Sequence, residues 1–198
     1  MENVFAQRLV NARKIRCMSQ RELCDAVDGK ISSSAIAKYE KGLMMPSSDV
    51  LIMLSKALNI NLDYFFRPFN LDIDPSKFEF RKKSSMGNKK VESIKYLVCS
   101  EIEKYQEIES ILNIATNFDL DYSNTLVEGE SEARLLALRL RKDFNIGSDA
   151  IVSVVDLLES KGIKIIEIDH DRTFSGTCNK ACGLPVIVVN KNMTSERK

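Results

Sequence analysis

The sequence is poor in the residue types on which several common enzyme sites depend. Its 198 residues include one histidine, His170, and no tryptophan. Zinc hydrolases usually need two or three histidines, and a serine triad needs a histidine close to a reactive serine. The 8 glycines are scattered and form no glycine-rich phosphate-binding loop. We therefore expect no catalytic residue, no metal and no cofactor.

The sequence also lacks long hydrophobic runs. No apolar run approaches the ~18 residues that cross a membrane, and residues 1–10 carry charges where a signal peptide has an apolar core. We therefore expect a cytoplasmic protein with no membrane partner. The 5 cysteines, an odd number, fit reduced thiols in that compartment. Hydrophobic residues at 44% and charged residues at 29% exclude wholesale disorder, a collagen and a disulfide miniprotein.

The net charge of +1 hides an uneven distribution of charge along the chain. Residues 1–66 have 9 basic and 7 acidic side chains, residues 67–90 have 7 and 3, and residues 91–198 have 13 and 18. The front of the chain is therefore basic and the back is acidic. We expect an anionic partner to meet the first 90 residues.

Residues 1–66 have the pattern of five short helices. Ser19 and Glu22 form a capping box that starts the second helix. Ser32 is placed to cap the third, and Gly42 stands where a helix-ending glycine belongs. The apolar positions that we expect to face the core are Phe5, Leu9, Ala12, Leu23, Ala26, Val27, Ile36, Tyr39, Leu51, Leu54 and Leu58.

The second and third helices, within residues 19–42, follow the helix-turn-helix plan. Ile36 and Tyr39 anchor the third helix from behind, so its first half presents short polar and basic side chains outward. Serine can donate to or accept from base edges, and its small size allows a close approach. The N-terminus of the second helix can hold a phosphate. The residues expected to contact DNA are Gln20, Arg21, Ser32, Ser33, Ser34, Lys38 and Lys41.

These features resemble the XRE family of Cro-type phage repressors, whose helix-turn-helix domain has a lambda-repressor-like fold. The resemblance implies double-stranded DNA as partner, base contacts from Ser33, Ser34 and Lys38, and phosphate contacts from Gln20 and nearby basic residues. It rests on Ser19-Gln20 with Leu23, on Tyr39-Glu40-x-Gly42, and on Pro46, Leu58 and Leu62-Asp63-Tyr64-Phe65.

This chain departs from the family pattern at the turn between the second and third helices. Its turn, residues 28–31, is about two residues longer than in the phage repressors, which leaves the angle between the second and third helices open. Cys17 stands where the family often has glycine, and Cys24 stands where it commonly has alanine.

Residues 67–90 form a basic linker by composition, and residues 91–115 predict one long helix. The linker's charge runs, at 81–83 and 89–90, have two interpretations: simple solvation or phosphate contact. The long helix has a heptad pattern broken only by Glu101. It either packs on its own chain or forms the seam of a homodimer. Its heptad positions are Val91, Ile94, Val98, Tyr105, Ile108, Leu112 and Ala115, and its carboxylates, interpreted as a solvated face, are Glu101, Glu103, Glu107 and Glu109.

Residues 130–198 predict a small α+β domain. Ser131 starts one helix, and Ser148 caps a second that stops at Gly162. Strands follow over 163–168 and 186–189, with an edge strand over 173–177 between them. The helix residues expected to face inward are Ala133, Leu136, Ala137, Leu140, Phe144, Ile151, Val154, Val155 and Leu158.

This second region resembles the front of the ImmA/IrrE metallopeptidases, which implies a partly zincin-like fold. In that family an H-E-x-x-H helix supplies two zinc ligands and the general base. These 198 residues contain no H-E-x-x-H. The resemblance rests on Glu132-Ala133, the segment LLESKGIKIIEID, Phe174-Ser175-Gly176, and GLPVIVVN with the later SERK.

The single histidine has three interpretations. His170 is a solvated loop residue, a zinc ligand together with Cys178 and Cys182, or part of an acid–base group with Asp169 and Asp171. The C-x-x-x-C spacing of the two cysteines differs from the C-x-x-C of zinc knuckles. We favour the solvated loop.

The sequence therefore predicts an α-rich chain in two parts: a five-helix domain, a long linker helix and a small α+β domain. Its predicted function is that of a phage-related, sequence-specific transcriptional regulator that is not an enzyme and acts at an operator as a homodimer. A protein partner for the second domain is also considered. Two alternatives stay open. One is a truncated or inactive ImmA/IrrE metallopeptidase, a fragment of a zinc endopeptidase; the other is an antitoxin or immunity component.

Overall fold

The computed structural model describes residues 3–69, 75, 81–82, 86–114, 116–118, 125–181 and 183–193. Within those ranges, no helix has both the length and the apolar character needed to cross a membrane. A short 3-10 helix over Leu62–Phe66 follows the fourth helix. The other elements are α1 (Val4–Ile15), α2 (Gln20–Ala26), α3 (Ser33–Glu40), α4 (Ser48–Leu58), β1 (Arg81–Lys82), α5 (Asn88–Ile111), α6 (Glu130–Asp143), α7 (Val154–Ser160), β2 (Lys164–Ile168), β3 (Phe174–Ala181) and β4 (Leu184–Asn190).

The first four helices and the 3-10 helix enclose one apolar core. Asn3 caps α1, because its side-chain oxygen accepts a hydrogen bond from the Ala6 amide at 3.3 Å. Ala26, which the helical spacing places on the buried face, is exposed at the end of α2. The buried members of the core are Phe5, Leu9, Ala12, Leu23, Val27, Ile31, Ile36, Tyr39, Leu54, Leu58 and Phe65.

Two residues of the longer turn between α2 and α3 have a left-handed backbone conformation. Asp28 and Gly29 have φ values of 56° and 67°. The Gly29 amide donates to the carbonyl of Cys24 at 3.0 Å, which closes the end of α2. The next apolar residue, Ile31, is 4% exposed and returns the chain to the core. The longer turn therefore keeps α3 packed on the rest of the domain.

Helix α5 packs on both parts of the chain. Its first half buries Ile94, Val98 and Ile102 against the sheet. Ile102 occupies the core position next to Glu101, where the heptad pattern is interrupted. The later heptad positions Ile108 and Leu112 are exposed. Packing on its own chain therefore accounts for the first half of the heptad face and leaves the second half uncovered; Ala115 lies outside the described residues.

The interpretation of the α5 carboxylates as a solvated face is wrong. Three of the four are bound to cations from outside α5, because α5 packs on both parts of the chain. Glu103 pairs with Arg8 of α1 at 2.5 Å, and the exposed fractions of these two side chains are 12% and 1%. The other two cross-element pairs are Glu107 with Arg67 and Glu109 with Lys164.

The four strands form one sheet in the order β1-β3-β4-β2. Strands β2 and β4 are parallel, and β3 is antiparallel to both of its neighbours. The strand predicted at 173–177 is present as part of β3, but its predicted place at the edge is wrong, because β1 of the linker pairs on the outer side of β3. A side chain at Gly176 would meet the Val188 carbonyl oxygen at 2.6 Å, so this strand pairing requires glycine there.

Two expectations about α6 and α7 are wrong. The side chain that caps α7 is Ser153, whose oxygen accepts from the Asp156 amide at 3.2 Å, whereas Ser148 lies in the preceding bend. The expected inward faces of both helices contain no buried residue, although Phe144, just after α6, is buried. The exposed large apolar residues of this region are Leu135, Leu138, Ile151, Val152, Val154 and Val155.

Candidate nucleic-acid interface

Helix α2 starts at a complete capping box. The Glu22 amide donates to the Ser19 hydroxyl at 3.2 Å, and the Ser19 amide donates to the Glu22 carboxylate at 2.6 Å. Both partners lie at the first turn of the helix, so the geometry of that turn is fixed by its own sequence. Gln20 and Arg21 are the next side chains, and Arg21 is exposed.

Helix α3 presents the outer face that its sequence predicts. Ile36 and Tyr39, which are 0% and 6% exposed, hold it against the core. The Ser32 hydroxyl accepts from the Ala35 amide at 3.1 Å and lies 3.0 Å from the Ser34 hydroxyl. The exposed side chains that the structure brings together at this helix and its ends are Ser32, Ser33, Ser34, Lys38 and Lys41.

A buried network around Glu40 fixes α3 relative to α1 and α2. Arg13 of α1 donates to both carboxylate oxygens of Glu40, at 2.5 and 2.8 Å. The Gln20 amide nitrogen donates to the same carboxylate at 2.7 Å, and Arg13 also donates to the Met18 carbonyl at 2.8 Å. Gln20, predicted to contact phosphate, therefore also positions the two helices. The network therefore holds the angle between α2 and α3, which the sequence with its longer turn did not determine.

Sequence reasoning missed Arg13 and Glu40 as a positioning pair, although a signal for one of them exists. Arg13 follows Leu9 by four positions, so the helix spacing puts a cation on the apolar face of α1. A charged group in such a place needs a partner. The identity of that partner is not contained in the local pattern.

The exposed charge of the candidate interface is positive along α3 and balanced at the start of α2. Within the described part of the chain, Arg21, Lys38 and Lys41 form no ion pair. Glu22 pairs with Lys89 of α5. The Lys89 hydrogen bond, together with those from Ser19, lowers the pKa of Glu22 from 4.5 to about 2. Glu22 is therefore ionised at neutral pH and its charge is offset by Lys89.

The lysines of the linker differ in their surroundings. Lys89 contacts α2, whereas Lys90 pairs with Asp171 at 2.5 Å and holds the pKa of that carboxyl well below its usual range. Simple solvation is therefore wrong for these two residues. Lys83 lies outside the described residues.

The residues considered for metal or acid–base chemistry do not assemble into a site in the described part of the chain. His170 Nδ1 lies 3.5 Å from an Asp171 oxygen, and Asp169 accepts from Asn192 at 2.7 Å. Cys178 is an exposed free thiol in β3, and Cys182 lies outside the described residues. The residues that the structure describes contain no group of three or more histidine, cysteine, aspartate or glutamate side chains that could hold a metal ion.

Comparison with known proteins supports the predicted helix-turn-helix. Residues 11–65 match the model of a helix-turn-helix family. The chain is also 27% identical over 66 residues to a protein of Rickettsia prowazekii described as an uncharacterized HTH-type transcriptional regulator. That match covers 33% of this chain and 49% of the relative, so the chain spans about half the length of the curated relative it matches. No solved structure matches the chain at the same level of significance.

The family model matches the same helices that form the candidate interface. The matched residues include α2, α3, α4 and their connecting turns. The prediction of an N-terminal helix-turn-helix is confirmed. The N-terminal part of the chain therefore contains a helix-turn-helix domain, which the family model matches over residues 11–65.

Proposed function

We propose that the chain is a sequence-specific DNA-binding transcriptional regulator of the XRE type, acting in the cytoplasm. The observation that carries the proposal is the outer face of α3. It exposes Ser33, Ser34 and Lys38 while Ile36 and Tyr39 of the same helix lie in the core. In a helix-turn-helix protein the first half of the second helix enters the major groove. The serines and Lys38 then meet base edges or the flanking phosphates.

The contacts to the DNA backbone in this proposal come from the start of α2 and the end of α3. Arg21 and Lys41 are exposed cations at those two places. Gln20 has one amide nitrogen, which already donates to Glu40 and carries a second N–H for a phosphate. Such contacts position the protein on the duplex, and the α3 side chains supply the sequence preference.

We further propose that the regulator acts at its operator as a homodimer, joined through the end of α5. Ile108 and Leu112 share one face of this helix and are 58% and 59% exposed. Ile111 and Ile114 extend the same apolar end, at 72% and 53% exposed. Large apolar side chains grouped at a helix end are typical of an interaction surface.

The second region enters the proposal as a noncatalytic module. The proposal assigns no peptidase chemistry to these 198 residues, because they contain no H-E-x-x-H. Leu135 and Leu138 of α6 and Val154 of α7, at 67%, 57% and 55% exposed, favour a protein partner. Elemental analysis of protein purified without chelator is expected to find no stoichiometric zinc; one zinc per chain together with peptidase activity would contradict a noncatalytic module.

A selection from random duplexes with the purified protein tests the function as a whole. We expect one enriched site, with two inverted half-sites about one helical turn apart if two copies bind. A single unpaired half-site would contradict the dimer, and no enriched site would contradict sequence-specific binding.

A further inference from the structure

We propose that Lys89, in the first turn of α5, contacts the DNA backbone beside the first turn of α2. The interface would then extend beyond the helix-turn-helix domain at residues 11–65. This inference rests on the proposed DNA-binding function, and it adds to that function a phosphate contact from the long helix.

Lys89 lies at the edge of the candidate interface. Its Nζ donates to the carboxylate of Glu22, which is in the first turn of α2. The Lys89 and Glu22 side chains are 48% and 52% exposed, so solvent reaches both. A cleft of about 330 Å³ is lined by Lys89 together with Lys14 and Gln20. A DNA strand that contacts Gln20 and Arg21 would therefore meet the Lys89 ammonium as well.

The position of Lys89 is set by the packing of α5 on α1. One turn along α5, the Ser93 hydroxyl donates to the Ile15 carbonyl at 2.7 Å, and Ser93 is buried. Glu92 pairs with Lys14 of α1. These two contacts join the start of α5 to the end of α1, immediately before α2. Lys89 is thus carried by a rigid element rather than by a loose linker.

A cation beside Glu22 favours the approach of DNA to the first turn of α2. The Glu22 carboxylate belongs to the capping box, and alone it would repel a phosphate at the start of α2. A lysine ammonium has three hydrogen-bond donors, so Lys89 can keep Glu22 as a partner and still reach a phosphate oxygen.

The neighbouring residue provides a matched control. Lys90 has the same chemistry and a similar exposure, but its Nζ pairs with Asp171 in the loop that precedes β3. Replacing either lysine by glutamine removes the same charge from the same helix turn. Only Lys89→Gln removes it from the side of α2.

The test measures affinity for one selected duplex as a function of salt, using full-length wild type, K89Q, K90Q, E22Q and the double variant K89Q/E22Q. Thermal unfolding of each variant confirms that it is folded. Each phosphate contact contributes about 0.9 to the slope of log affinity against log salt. We expect K89Q to lower the magnitude of the slope by about one unit relative to wild type, and K90Q to leave it unchanged.

The double variant separates contact from neutralisation. If Lys89 touches phosphate, K89Q/E22Q has a shallower slope than E22Q, because the contact is lost even without the carboxylate. Equal slopes for E22Q and K89Q/E22Q, or equal effects of K89Q and K90Q, would overturn the inference while leaving the DNA-binding function intact. A wild type that binds no duplex would instead overturn the proposed function.

Discussion

Arg13 of α1 and Glu40 of α3 form a buried ion pair with two hydrogen bonds, at 2.5 and 2.8 Å. Their side chains are 8% and 6% exposed. Since Gln20 of α2 binds the same carboxylate, one acidic side chain joins three helices. The orientation of α3 in the helix-turn-helix domain therefore depends on a charge that itself faces away from solvent.

Glu40→Ala is expected to lower the free energy of unfolding by about 3–5 kcal/mol, because it leaves the Arg13 guanidinium buried without its partner. Urea denaturation of the two proteins measures the difference. A second variant tests the cause: with Arg13→Met added to Glu40→Leu, both charges are gone, and much of the lost stability should return. If Glu40→Ala leaves the unfolding midpoint unchanged, the pair does not position α3.

The sequence allowed the local features of this domain to be predicted, but not the pairs that join its elements. Ser19 and Glu22 are three positions apart, so a capping box is visible in the sequence and confirmed in the structure. Glu40 and Arg13 are 27 positions apart, and Glu103 and Arg8 are 95 apart. Helical spacing indicates which side chains share a face and says nothing about which distant charge meets them.

The same reason explains the errors in the second region. The apolar spacing of α6 predicts a buried face, and the structure buries no residue of this helix. Hydrophobic periodicity shows that a face is suited to burial, whereas burial also requires a neighbouring element. The α5 heptad has one set of residues with such a neighbour and another without, and the pattern is the same in both.

Cys17 has a left-handed backbone, with φ at 56°, directly after the end of α1. This conformation is strained for a residue with a Cβ and free of that strain for glycine. We expect Cys17→Gly to raise the free energy of unfolding by about 1 kcal/mol. Cys17→Ala is the control, because alanine keeps the strain. Equal stabilities for the glycine and alanine variants would show that the backbone of this residue stores no strain.

The ion pair of Glu22 predicts a specific dependence of stability on pH. The pKa of Glu22 is about 2 in the folded chain, compared with 4.5 as its ordinary value. Because the folded value is the lower one, ionised Glu22 stabilises the fold above pH 4.5, and this contribution is lost as the pH falls toward about 2. Urea midpoints measured across that window should therefore fall more steeply for wild type than for Glu22→Gln. Parallel curves would contradict the lowered pKa.

Self-association through the end of α5 is tested by charges placed on its exposed apolar face. Ile108→Glu together with Leu112→Glu is expected to shift wild-type dimers to monomers in sedimentation, since neither side chain belongs to the core of its own chain. Val98 is unsuitable for this purpose because it is 0% exposed in that core. Ser110→Glu, on the opposite face of the same turn, is the control. A wild type that sediments as a monomer at all concentrations would rule out the dimer.

Lys38 is the cation at the centre of the exposed face of α3. We expect Lys38→Ala to cost roughly 1–3 kcal/mol of binding free energy if it contacts a base, with relaxed preference at one position. If it contacts phosphate, binding should weaken about equally on all sequences and the salt slope should fall by about one unit. Lys56→Ala is the charge-matched control, because Lys56 is an exposed lysine of α4. Equal losses for the two variants would contradict a specific role for Lys38.

The most direct test of the central claim, that α3 reads DNA, is the affinity of a triple variant for the selected duplex. Ser33, Ser34 and Lys38 are all exposed, so changing the three to alanine should leave the fold intact, as circular dichroism and thermal unfolding can verify. If α3 reads DNA, this folded variant loses its preference for the selected duplex over a scrambled one. A folded variant that retains wild-type affinity and preference would contradict the claim.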